Sequence, residues 1–155
     1  DWDKALWHLP TQDIIKFVYD RGKAVDPSFK PRIGEVLYNR GLVAAMWTAE
    51  AIRKAMEIHK TKEVKATHVR DGFEALAVDA KRLEELGLKD FTYPIKITCA
   101  NHEGPGLVAL QQWDGKGFKQ VSKYYEPDRD VGGKLIKEDA EKYAKEAKIT
   151  PRDCK

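Results

Sequence analysis

The sequence predicts an α/β fold with a helix-rich first half, then a β-hairpin and a C-terminal helix. Three observations carry this expectation. Through residues 37–59 apolar side chains recur every three or four positions, as on one face of a helix. Residues 94–128 alternate like strands around Asp114-Gly115, a strong hairpin signal. Residues 133–148 carry lysine and glutamate at helical spacing beside a thin apolar stripe.

Taken in order, Thr11 follows Pro10 and is expected to cap a helix reaching about residue 24, with Ile14, Ile15, Val18 and Tyr19 as its stripe. Asp26-Pro27 and Lys30-Pro31 read as a loop. The long helix follows. Its apolar face is read as Leu42, Ala45, Met46, Ala49, Ile52 and Met56. Ala44, Ala45, Ala49 and Ala51 point to close packing against another element, and Gly41 to a close backbone approach. Thr67 is expected to cap a third helix with Val69, Phe73 and Leu76 as its face. Asp79 opens a short helix ended by Gly87, because glycine takes the left-handed conformation there without penalty.

Pro94 bars helix, so Ile95 to Cys99 reads as a strand. Residues 107–113 and 118–125 are two more, joined by Asp114-Gly115-Lys116-Gly117. In the last helix, Leu135, Tyr143 and Ala147 share one side, with i,i+4 pairs such as Lys137–Glu141, and Pro151 stops it. So many helices call for a sheet that these strands do not supply. That, and an opening Asp1-Trp2-Asp3 without Met, leads us to expect a fragment of a longer protein.

Apolar residues at 42% and charged ones at 34% describe a soluble globular chain, and no run of eighteen apolar residues could span a bilayer. The net charge of +3 is spread among mixed signs, which argues for solvated helix faces and against a nucleic-acid partner. Two cysteines pair in an oxidising compartment and stay free in the cytosol. If they pair, the closed loop contributes roughly 4 kcal/mol in the chain-entropy model.

Cys99, His102 and Glu103 lie close in sequence, so a thiol nucleophile assisted by a histidine is one reading, although a structural cysteine beside a loop histidine is commoner. Two candidate ligands are too few for a metal, and His8, His59 and His68 sit apart as surface or cap residues. No phosphate-binding or hydrolase motif occurs, so no catalytic residue, metal or cofactor is expected. Tyr38, Asn39 and Arg40 place a phenol, an amide and a guanidinium at the start of the long helix, a set able to grip a small carboxylate, although a solvent-facing helix start with Arg40 in a surface pair is the commoner arrangement. Trp2 and Trp7 read as a pocket wall or as exposed core, and we favour the core. A further reading is a helical interaction module docking through Leu42, Met46 and Ala49.

Four runs, TQDIIKFVYDRGKA, VLYNRGLVAAMWTAEAIRKAME, PIKITCANHEGPGLVALQQWDGKGF and AEKYAKEAKITPRDC, together resemble the C-terminal part of periplasmic substrate-binding proteins of branched-chain amino acid ABC transporters. The resemblance implies part of a two-lobed type I periplasmic-binding fold. Residues 1–93 would be the helical part of the first lobe, 94–106 a hinge-proximal strand and loop, and 107–155 the hairpin and C-terminal helix of the second lobe. It implies a non-enzymatic periplasmic or extracytoplasmic receptor. The implied ligand is a branched-chain amino acid, aromatic acid, amide or other small carboxylate, held partly by Tyr38 with Asn39 and Arg40. The implied protein partners are a membrane permease and the remaining N-terminal part of the same protein. The periplasmic address also implies a Cys99–Cys154 disulfide.

Overall fold

The computed structural model describes residues 9–89 and 91–154. The expectations for Trp2, Trp7 and His8 lie outside the described residues.

Helix α1, Leu9–Ile14, holds Pro10 in its first turn, where no backbone N–H is needed. Thr11 is therefore inside the helix and fully buried, not its cap. The helix continues as a π turn, Ile15–Tyr19, in which the Asp20 N–H reaches back five residues to the Ile15 carbonyl at 2.9 Å. The loop expected at Asp26 to Pro31 is a 3-10 helix, Pro27–Arg32. Asp26 caps it, accepting from the Ser28 N–H at 2.9 Å and the Ser28 hydroxyl at 2.6 Å.

Helix α2, Val36–His59, runs antiparallel to α3, Ala66–Glu74, in the sense that a short turn at Lys60 to Lys65 sends the chain back over it. Close packing was legible in the alanines, but its position differs. The buried face of α2 is Glu50, Ala51 and Ala55, with Met46 and Trp47 reaching the core, whereas Ala45 and Ala49 are exposed. The glycine that permits the approach is Gly72 on α3. A Cβ there would stand 2.1 Å from the Ala51 carbonyl oxygen and 3.0 Å from the Ala55 Cβ. Gly41 has nothing within 4 Å of that position, so it marks no approach.

Beyond α3 the chain enters β1, Ala77–Val78, then α4, Ala80–Glu85, and later β2, Ile95–Lys96. β1 was not foreseen, because two residues are too short to show alternation. It pairs antiparallel with β2 in the register Ala77↔Lys96 and Val78↔Ile95, and the Ile97 N–H extends the ladder to the Leu76 carbonyl at 2.9 Å. Asp79 caps α4 by accepting from the Arg82 N–H at 2.7 Å. Gly87, at φ +70°, ends it. Leu88 N–H then bonds the Leu83 carbonyl at 2.8 Å and Gly87 N–H the Glu84 carbonyl at 3.1 Å, a Schellman closure. This closure brings Leu83 and Leu88 together, and with Leu76 and Val78 they form the buried core.

One ion pair locks α4 to α2. Arg82 forks onto Glu50, Nε to Oε2 at 2.9 Å and Nη2 to Oε1 at 2.8 Å, while Arg53 adds a bond to Oε2 at 3.1 Å. The Glu50 side chain is only 7% exposed. The Arg82 fork, helped by Arg53 and opposed by desolvation, lowers the Glu50 carboxyl from 4.5 to about 2.

The second half is built differently. β3, Gln111–Trp113, and β4, Phe118–Gln120, form the expected hairpin, shorter than the sequence implied and with every strand residue exposed. The Asp114 carboxylate accepts from the Lys116 and Gly117 N–H groups, each at 2.9 Å, and meets Lys119 at 2.7 Å. Helix α5, Gly132–Glu146, has no buried residue. Its stripe is open to solvent, with Leu135 at 59% and Tyr143 at 64% exposure.

Two predictions follow from these contacts. Gly72→Ala is expected to lower stability to urea by about 2 kcal/mol, because overpacking that a backbone atom cannot relieve outweighs the better helix propensity. Gly41→Ala, in open space, should instead stabilise by up to ~1 kcal/mol. Equal responses at the two glycines would remove the α2–α3 contact as the cause.

The Glu50 carboxyl is depressed in the fold, so the stability it contributes is complete above pH 4.5 and is lost as pH falls toward about 2. Urea midpoints measured across that range should drop, and Glu50→Gln should flatten the drop while lowering stability at neutral pH. An unchanged pH profile in Glu50→Gln would show that other carboxylates set it.

Candidate functional site

Tyr38, Asn39 and Arg40 occupy consecutive positions on the first turns of α2, and consecutive helix positions do not face one another. The structure does not bring them together. The Tyr38 phenol is raised above its ordinary value mainly by burial, with the Tyr19 phenol beside it adding to the shift. The Asn39 amide donates to the Gly34 carbonyl at 2.8 Å, and its Oδ1 is buried with no partner among the described residues. Arg40 is exposed.

The histidines form local contacts. His59 and His68 stack with ring centroids 4.1 Å apart, His59 Nε2 lies 3.0 Å from Asp71 Oδ2, and His68 Nδ1 accepts from the Lys65 N–H at 3.4 Å. Among the described residues no group of three or more His, Cys, Asp or Glu side chains is placed to hold a metal ion.

A denser constellation lies where the C-terminal tail meets the body. Cys99 and Cys154 are joined by a disulfide, with Cα atoms 5.4 Å apart across 55 residues of sequence. Beside it, Glu74 closes α3 with a side chain only 10% exposed. Arg152 of the tail pairs with its Oε1, and His102 Nε2 lies 3.4 Å from the same oxygen. Cys99 thus has no thiolate to offer, and His102 is turned to Glu74. Glu103 is exposed, its N–H bonded to Asn101 Oδ1 at 3.1 Å. The thiol arrangement read from Cys99 and His102 does not form in this state.

The turn carrying Cys99 is built by its neighbours. Thr98 and Asn101 exchange backbone hydrogen bonds at 3.0 and 3.1 Å. Asn101 Oδ1 gathers the Glu103 and Gly104 N–H groups, both at 3.1 Å, and Arg129 donates to the Gly104 carbonyl at 3.1 Å. Gly104 is buried at φ +75°, where a Cβ would press on Ile95 Cγ1 at 3.3 Å. This turn walls an open cleft of about 470 Å³ whose floor includes Val78, Pro94 and Ile95 and whose rim includes Lys96, Glu126 and Arg129. Glu74, Asn101, Arg129 and Arg152 were missed in the sequence. The Asn-x-x-Gly spacing of the turn and the arginine two residues before Cys154 were the available signals.

The interaction stripe read as Leu42, Met46 and Ala49 is not one free face. Met46 packs on the core and Leu42 is half-buried, which leaves Ala49 exposed.

No helix among the described residues is long and apolar enough to cross a membrane. At 24 residues α2 has the length, but Arg40, Glu50, Arg53, Lys54 and Glu57 interrupt it.

No family model matches the chain, and no curated protein does. It is similar to a solved structure from the Pseudomonas fluorescens group described as an ABC transporter permease, with 33% identity and a TM-score of 0.77 over 93% of this chain and 34% of that one. The chain therefore spans about a third of the length of the solved chain that it matches. This finding corrects the resemblance to periplasmic substrate-binding proteins and the solute-receptor function drawn from it. The likeness is to a protein described as a transporter permease. The quoted runs encode α1 with its π turn, α2, the Cys99 turn, the hairpin and the end of α5 with the tail, which are elements of fold.

One prediction concerns the junction. Alkylation with iodoacetamide under denaturing conditions but without reductant should leave the mass unchanged, and prior reduction should add two alkyl groups. Uptake before reduction would exclude the disulfide.

Proposed function

We propose that this chain is an extramembrane part of an ABC transporter component, acting by contact with the rest of the transporter and not by catalysis. The observation that carries the reading is the likeness across 93% of the chain to a protein described as an ABC transporter permease. Two features support the extramembrane placement. The charges on α2 suit water, and the apolar side chains left open on α5 and the hairpin suit a protein surface. An extracytoplasmic address is the compartment in which a Cys99–Cys154 bond persists. The proposed partner is the transporter's membrane-spanning assembly.

The reading is tested by placing p-benzoylphenylalanine at Tyr143 or Trp113 in cells that make the chain, irradiating, and sequencing the adducts. Adducts with ABC transporter subunits, absent when the photoprobe sits at Lys62 on the far loop, are expected. Adducts with no transporter subunit at either position would overturn it.

A further inference from the structure

The tail junction has a consequence for α5 that its helical sequence alone does not carry. α5 buries no side chain, so packing does not fix its direction. The structure ties it down at its two ends. Before the helix, Arg129 donates to the buried turn at the Gly104 carbonyl, 3.1 Å away, and Pro127 packs under Gly106. After it, Lys148 takes the left-handed conformation at φ +54°, and the Ile149 N–H bonds the Ala144 carbonyl at 2.9 Å, which turns the chain back. The tail then runs without regular structure to Arg152 and Cys154, which meet Glu74 and Cys99 on the body.

We propose that the Cys99–Cys154 disulfide and the Arg152–Glu74 pair form a releasable latch that fixes the direction of α5 relative to the body. A dithiol reductant opens it. One thiolate of the dithiol attacks Sγ of exposed Cys154, the S–S bond breaks, and Cys99 leaves as a thiolate that takes up a proton. The second thiol of the reductant then attacks its own sulfur in the mixed disulfide and releases Cys154 as the second thiol. The reductant becomes a disulfide, two electrons pass to the protein, and both cysteines end as thiols. With the covalent tie gone, the tail is left with non-covalent contacts, among them the Arg152 pair, in which Arg152 is half exposed and water competes for it. α5 then pivots on the Arg129 anchor as a mobile arm, while the α2–α3 body, which the tail touches at Glu74 and which is seated through Gly72 on Ala51 and Ala55, keeps its shape.

The test uses the full chain with nitroxides attached through p-acetylphenylalanine at Ala45 on α2 and Lys137 on α5, and their distance distribution is read before and after dithiothreitol. A second chain labelled at Ala45 and Thr67 reports the α2–α3 body. Reduction should at least roughly double the width of the first distribution and leave the second unchanged, because local opening need not spread to the core. Cys154→Ser should reproduce the broad distribution without reductant. A first distribution that stays narrow in either case would overturn the latch. So would broadening of both pairs, since the bond would then be a staple of the whole fold.

Discussion

The described structure depends on the approach of two helix backbones at Gly72. With no Cβ in the way, α3 seats its last turn directly on the Ala51 carbonyl and the Ala55 methyl of α2. That seat sets the rotation of α2, so that Glu50 and Trp47 face inward and Ala45 and Ala49 face water. It also sets where α3 ends, and therefore where Leu76 and Val78 enter the core and where β1 meets β2. Glu50, turned in by the same rotation, would be a costly buried charge if left alone. The two-pronged Arg82 bond removes that cost, and it requires α4 to start at Asp79 with its own cap satisfied. Each of these contacts needs the others to be in place, and all of them fall between residues 46 and 97.

The second half obeys another rule. Its hairpin is held by one carboxylate, Asp114, collecting two backbone N–H groups and a lysine, and by the Trp113–Phe118 ring pair at 5.3 Å. Its helix is held by its ends. Such elements keep their local shape without a core, but their placement comes from the Arg129 anchor and the tail junction. The exposed Trp113, Leu135 and Tyr143 follow from this economy of contacts. Burying such side chains drives association and exposing them in water does not, which is the physical ground of the proposed contact with a transporter.

What could be read from the sequence tracks the range over which each signal acts. Asp79 with Gly87, the Asp114-Gly115 turn and the 24-residue α2 were legible because caps, turns and long periodicity are local. β1 was not, since two residues contain no period, and neither was the π turn after α1, which tertiary contacts select. The helix face was misjudged for an instructive reason. Alanines at 44, 45, 49 and 51 surround the helix, so composition alone could not say which of them meets a partner, and the deciding residue, Gly72, lies on another element. The solute-receptor reading was overturned on other ground, by the likeness to a protein described as an ABC transporter permease. Tyr38, Asn39 and Arg40 looked like a recognition set because they are adjacent in sequence, yet adjacency on a helix spreads side chains around it.

Convergence in this chain comes instead from long-range closure. Glu74, His102, Cys99, Arg152 and Cys154 span three separate segments, and no window of sequence contains them together. Their contacts clamp the tail to the body. The cysteine sulfurs are spent on each other, the carboxylate is matched to a guanidinium, and the turn's donors are taken up by Asn101 and Gly104. A site whose polar groups satisfy one another has little left to bind a substrate, but it fixes the geometry of what it joins. Here that is α5 and its uncovered apolar stripe, so the junction sets the direction in which the chain presents that surface.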